Sequence, residues 1–184
     1  ALARGGLFGV SRAGFHELVT RLALPALATA GLSPTGGLGA EAVVTRAAFE
    51  AADAGQLRYF APVAKLPGFP RAVSRTLNEL QMASVAGDRL KGLDAAGGDL
   101  AALLHRVAGA TARSGTATRA DVLRAAEAAL ANGTHPLGHP HIVLLDVPVT
   151  SDAESRVFAA LANVAASVFA AVPVGDDRVV RTLR

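Results

Sequence analysis

The chain has 184 residues, 51% of them hydrophobic and 18% charged, with a formal net charge of +3. That length fits one domain, or one domain with a small lobe, and is enough to bury a sizeable core; the composition excludes intrinsic disorder. With no cysteine, a disulfide scaffold, a thiolate metal site and a cysteine nucleophile are excluded, and no apolar run reaches the about eighteen residues that a bilayer span needs.

The first predicted element is a helix over 11–24. Ser11 is its expected N-cap, and Phe15, Leu18, Val19 and Leu22 recur at helical spacing. Pro25 ends it or starts a second turn, which Gly31 closes. Residues 33–39, SPTGGLG, read as a loop. A second helix follows over 41–54, with Val44, Ala48 and Ala51 inward and Gly55 as its stop. Two prolines forbid a continuous helix in 57–68. The helix over 69–84 is amphipathic: Phe69, Val73, Leu77 and Leu80 form its stripe, with Arg71, Arg75 and Glu79 off the centre. Asp99 reads as the cap of a helix carrying Leu100, Leu103, Leu104 and Val107. Thr118 and Asp121 form a T-x-x-D start, a weaker relative of the capping box, for a helix that Asn132 and Gly133 stop.

The period then changes. His141-Ile-Val-Leu-Leu-Asp146 is a short continuous apolar run ending in an acid, the pattern of a fully buried parallel strand. Ser151 is placed to cap a helix from Asp152 to about 166. Residues 168–174 form a second apolar run, ending in Gly175-Asp176-Asp177. Strand, helix and strand make one βαβ unit whose crossover is expected to be right-handed. The chain is therefore expected to be helical in its first three quarters and α/β in its last.

Ligands of open α/β sheets bind at the carboxyl ends of the strands. Asp146 sits at one such end, Asp176 and Asp177 at the other. If the strands are neighbours these acids share one edge, and an acid there is where a P-loop NTPase orders Mg²⁺ on a nucleotide; Asp146 as the start of the turn toward Pro148 is the plainer reading. His135, His139 and His141 cluster in HPLGHPH, a conceivable zinc or nickel site, but the interleaved Pro136, Gly138 and Pro140 read as a loop entering a strand. Gly5-Gly6 and SPTGGLG lack a preceding strand and a following Lys-Ser/Thr, so both read as turns. No Gly-x-Ser-x-Gly elbow supports a serine hydrolase.

Alanine, the best helix former, is abundant, and aromatics are only 4% of the chain, a poor supply for a base-stacking surface. Lys65 and Lys91 are the only lysines. The many arginines suit bidentate phosphate contacts, and equally follow from a GC-rich genome. Nothing at the start reads as a secretory signal, Arg4 being followed by Gly5 and Gly6, so the expected location is the cytoplasm. Ala1 is not a methionine and Arg184 follows an apolar stretch; both ends read as cut from a longer polypeptide.

Three stretches carry a resemblance. Residues 144–180, LLDVPVTSDAESRVFAALANVAASVFAAVPVGDDRVV, resemble motifs II and III of UvrD/Rep-type superfamily 1 helicases: a strand ending in an acidic box, a T/S-rich turn, a helix, and a strand ending in Gly-Asp. GVSRAGFHELVTRLALPAL is similar to the T-F-H-S segment of those helicases, with Phe15-His16 at its Phe-His. RYFAPVAKLPGFPRAVSRTLNELQMASV is similar to a Pro-Gly-Phe segment with a following E-L in AddB-like proteins, the B subunits of ATP-dependent helicase/deoxyribonucleases linked to PD-(D/E)XK nucleases.

The resemblance implies an α/β fold, mostly helical overall: part of a RecA-like P-loop NTPase core with the βαβ unit at its C-terminal end and a large α-helical insertion. Residues 1–32 would end the first half of the motor core, 33–140 would be the insertion, and 141–184 would return to the core sheet. It implies DNA contact by Ser11, Arg12 and His16, and by Arg71 and Arg75 on the insertion. Asp146 and Asp176 would face a nucleotide, with Asp146 taking Mg²⁺ only if nucleotide is bound. ATP and Mg²⁺ belong to the full-length protein and none is expected for this piece alone. The implied partners are single-stranded DNA or a duplex end and a second helicase–nuclease subunit, with no membrane.

The departures matter equally. Motif II is Asp-Glu in working motors, whereas Asp146 is followed by Val147. Motif III continues into Gln, whereas Asp177-Arg178 stands here. No G-x-x-x-x-G-K-[ST] loop is present. The expectation is a degenerate helicase fold that holds DNA with ATP hydrolysis weak or lost. The alternatives are a helical protein–protein interaction module without nucleic-acid contact, and an active nucleotide hydrolase with an upstream phosphate loop.

Overall fold

Apolar residues spaced three and four apart drive most of the chain into helix, and the two apolar runs near the end into strand. The computed structural model describes residues 9–182. In order these are α1 (Phe15–Thr29), β1 (Ser33–Pro34), α2 (Gly37–Asp53), α3 (Phe69–Met82), α4 (Gly87–Lys91), α5 (Ala95–Arg113), β2 (Thr116–Ala117), α6 (Arg119–Ala131), β3 (His141–Leu145), α7 (Asp152–Val164), β4 (Ser167–Ala171) and α8 (Asp177–Thr182). The fold is a mostly helical α/β arrangement with two small parallel sheets. β1 pairs with β2, and β3 pairs with β4 in a register that sets His141 against Ser167 and Leu145 against Ala171. Among the described residues no helix is long and apolar enough to cross a membrane. Arg4, Gly5 and Gly6 lie outside the described residues.

Two cores organise the helices. α1, α6 and α7 close around Leu22, Leu130 and Val157, each almost fully buried. α2, α3 and α5 close around Ala48, Leu77 and Leu103, with Leu57 and Ala64 of the proline-marked turn filling the same space. Each of these Leu and Val side chains stabilises the fold by roughly 1.5–3 kcal/mol through removal from water. The sequence boundary near 140 does not follow the cores: α6 packs with α1 and α7.

Several local expectations give way. α1 starts after Gly14 rather than Ser11, and no side chain caps it. It also runs through Pro25, an exposed position where the lost N–H leaves one carbonyl to water, while Leu27 is buried one turn-half later and holds the continuation in place. α2 begins at Gly37, inside the stretch read as loop, and Ser33–Pro34 joins a parallel bridge to Thr116–Ala117. Gly39 permits this start because the Thr35 hydroxyl lies where a Cβ would sit. The Thr118–Asp121 start is a full reciprocal capping box, and Ser151 with Glu154 forms a second.

The last two strands are not fully buried. β3 and β4 make a two-stranded sheet, and no other strand pairs with them among the described residues. Ile142 and Leu144 pack inward, whereas Val143 and its register partner Phe169 are 61% and 65% exposed. A continuous apolar run marks both faces as apolar but says nothing of how many layers cover them; here only one face is covered.

Asp99 is the clearest correction. α5 is capped by Asp94, whose carboxylate accepts the Gly97 N–H at 2.7 Å. Asp99 lies inside the helix, only 4% exposed, and accepts the backbone N–H groups of Arg58 and Phe60, each at 3.0 Å. It therefore pins the turn after α2 against α5. Asp99→Ala leaves two amide donors without this acceptor in a part-buried setting, and is expected to lower the unfolding free energy by about 1–3 kcal/mol. Urea denaturation of the variant beside the parent measures the loss.

Candidate nucleic-acid interface

The first turn of α1 meets the far end of the β3–β4 sheet. Phe15 stacks on Phe158 of α7, with ring centroids 4.3 Å apart and planes 10° from parallel. Around that pair lie Val149, Val179, Leu144, Val147 and Val172. These residues come from the end of β3, the turn that follows it, the turn after β4 and α8. Phe15-His16 and the two carboxyl-terminal strand ends, remote in sequence, thus share one small apolar cluster. Ser11, Arg12 and His16 are all exposed, His16 next to Phe15 in the first turn of α1 and the other two ahead of that helix.

The two acids expected at the strand ends have different situations. The strands are parallel neighbours, and the Asp146 N–H donates to the Ala171 carbonyl at 3.0 Å, so Asp146 caps the last rung of the ladder. It is exposed, and its φ of 49° is in the left-handed region, a conformation Asp tolerates better than most residues. Asp176 follows five residues after Ala171. Its carboxylate accepts the Val179 N–H at 3.1 Å, which caps the first turn of α8. Val147 points into the apolar cluster, and Arg178 donates to the Thr150 carbonyl at 3.0 Å and to the Asp152 carboxylate at 2.5 Å. Val147 thus serves packing, and Arg178 ties α8 to the start of α7.

Glu154 fixes the turn that follows β3. It is 2% exposed, and its carboxylate accepts the Thr150 N–H at 2.8 Å, the Thr150 hydroxyl at 2.7 Å, the Ser151 N–H at 3.1 Å and the Arg119 guanidinium at 2.5 Å. Burial by itself would raise its pKa; the two Thr150 bonds, the Arg119 charge and Ser151 together outweigh it and hold the carboxyl below its ordinary value of 4.5.

The remaining nominated residues do not converge on this rim. Arg71 and Arg75 lie exposed on α3, which belongs to the other core, and Arg75 pairs with Glu79 at 3.0 Å. The three histidines have separate local partners: His135 Nδ1 accepts the Leu137 N–H, His139 Nδ1 contacts the Val164 carbonyl and His141 Nδ1 contacts the Ser167 hydroxyl. No group of three or more potential metal ligands occurs among the described residues. A second basic surface, formed by Arg58, His105, Arg106 and Arg113, was not singled out from the sequence. Its signal was present on α5, where His105-Arg106 and Arg113 stand two turns apart with Gly109 between them.

No protein-family model and no curated protein matches this chain.

A depressed carboxyl favours folding above its unfolded pKa, and that contribution disappears as pH falls from about 4.5 through the lower folded-state value. Thermal melts between neutral pH and pH 3 are expected to show an acid-labile limb. In Glu154→Gln, which cannot titrate, the neutral-pH stability is lower and this limb is flatter.

Proposed function

We propose that this chain is a nucleic-acid-holding scaffold on the plan of a superfamily 1 helicase core, as in the helicase-like part of an AddB-type helicase–nuclease, with ATP hydrolysis weak or lost. The observation that carries this reading is the Phe15–Phe158 cluster. It gathers the Phe15-His16 segment and the ends of β3 and β4, the places where the sequence resembles helicase motifs, at one rim. In this reading the βαβ unit of β3, α7 and β4 is a remnant of a RecA-like sheet. Ser11, Arg12 and His16 meet the phosphate backbone there, and Arg71 and Arg75 add contacts from the helical part.

The loss of hydrolysis follows from Val147. A valine accepts no proton from an attacking water, and this one is engaged in packing. With Asp176 occupied as a cap, Asp146 at the end of β3 is the acid placed to meet Mg²⁺ in a nucleotide-loaded parent protein. The residues present do not make a nucleotide site on their own, and no catalytic step is assigned to them. The expected partners are single-stranded DNA or a duplex end, with a second helicase–nuclease subunit for the parent. The competing reading, a protein-binding lobe, is favoured by the bare apolar face around Val143 and Phe169.

Fluorescence anisotropy of a labelled single-stranded oligonucleotide of about 20 nucleotides separates the two, because that length exceeds common single-fold site sizes. Binding is expected at about 50 mM salt and is expected to weaken steeply by about 200 mM. Arg12→Glu is expected to weaken it several-fold. No binding at low salt leaves the protein-binding lobe as the better reading, and binding indifferent to Arg12→Glu overturns the α1 rim as the contact surface.

A further inference from the structure

A cleft of about 620 Å³ lies between α5 and the turn after α2. Ala102 and Gly109 line it together with Arg58, His105, Arg106 and Arg113. Among the described residues no carboxylate lines it. A cavity this size falls in the range that holds small ligands, but such pockets are usually apolar; this one is walled by cations.

The cations are held in two ways. Arg106 is fixed by the Gln56 side-chain oxygen and by Glu50, whose carboxylate lies 3.5 Å away. Glu50 is shared, accepting the Arg46 guanidinium at 2.9 Å as well. Arg46's hydrogen bond foremost, with the charges of Arg106 and Arg113 nearby, keeps the Glu50 carboxyl below its ordinary value. One carboxylate thus pairs with two guanidinium groups, those of Arg46 and Arg106. Arg58 and Arg113 form no ion pair with a described residue. Arg58 comes from a fixed backbone, because Asp99 takes its N–H.

We infer that this cleft is a binding site for a phosphoryl oxyanion. Guanidinium groups present paired donors that match phosphate oxygens, and a phosphate supplies the anionic partner that Arg58 and Arg113 do not find among the described residues. Gly109 lets the Arg113 guanidinium lie close over α5, because a Cβ there would come within 3.3 Å of it. The phosphoryl group can belong to a nucleic-acid strand or to a free phosphorylated small molecule. The strand is the source tested first, because Tyr59, the residue after Arg58, is 60% exposed and exposed aromatic rings beside cations suit stacked bases. The site extends beyond the rim proposed above and stands independently of it.

The test uses the whole chain, with a labelled single-stranded oligonucleotide followed by anisotropy and sodium pyrophosphate followed by calorimetry. The variants are Arg58→Gln/Arg113→Gln and Gly109→Leu, with folding checked by circular dichroism. The oligonucleotide is expected to lose about tenfold or more in affinity in the double variant. Its salt slope is expected to fall by about 1.4, about 0.7 for each lost contact to a single strand. Gly109→Leu, which fills the cleft at unchanged charge, is expected to weaken binding as well. Pyrophosphate binding lost in the same variants, with no oligonucleotide binding by the parent, supports the cleft with a small-molecule source while removing the DNA-scaffold reading. Affinities for both probes unchanged in Arg58→Gln/Arg113→Gln overturn the site. A loss in the double variant without one in Gly109→Leu also overturns it, since that pattern marks a diffuse positive surface.

Discussion

The face-to-face contact of Phe15 with Phe158 is the constraint on which the functional end of the molecule depends. Phe15 packs both against the α1–α6–α7 core and against the cluster at the strand ends, so one ring belongs to two hydrophobic bodies. It fixes where the exposed start of α1 lies relative to the carboxyl ends of β3 and β4. The packing of α1 on α6 and α7 sets the helix as a whole, and this ring ties its first turn to the strand ends. Stacked aromatic pairs contribute about 0.5–1.5 kcal/mol beyond the area they bury, enough to matter in a fold whose net stability is small.

Two buried carboxylates hold the remaining geometry. Asp99 and Glu154 each accept several hydrogen bonds from segments remote from a regular ladder. Each leaves a surrounding donor with no substitute if it is removed, so each specifies one backbone path over others. The exposed pairs Arg21–Glu17, Arg46–Glu50 and Arg75–Glu79 are of another kind. They join residues four apart on one helix, and such pairs contribute only a few tenths of a kcal/mol. The polar interactions that shape this protein are few and inward.

What could be read from the sequence was whatever is local. The stripe of Phe69, Val73 and Leu77 declared α3, and Thr118–Asp121 and Ser151 declared where α6 and α7 begin. The parallel pairing of β3 with β4 also follows from their runs and the helix between them. Local signals misplaced the bounds of α1 and α2, and the larger failures were non-local. Asp99 has the residue type of a cap, and only the fold reveals that its partners are 39 and 41 residues away. Ser11 likewise has a cap's chemistry but stands upstream of the first turn. The basic cleft combines α5 with a turn more than forty residues earlier, and no spacing rule links Arg58 to Arg113. At the candidate rim, Asp146 and Phe15-His16 were visible as residues, while their meeting through Phe158 was not.

The half-covered sheet has a kinetic consequence. A pair of parallel strands has a single row of ladder hydrogen bonds, and an isolated two-stranded sheet is marginal in water. β3 and β4 are held by α7 on one side and by little on the other, so they form the region where a local opening disrupts the least packing. Amide protons along Val143–Leu145 therefore exchange with solvent ahead of those in α6 and α7, whose bonds are sheltered by the main core. The acidic strand ends ride on this half-covered unit, so the rim around Asp146 can reshape itself at less cost than the buried helices behind it.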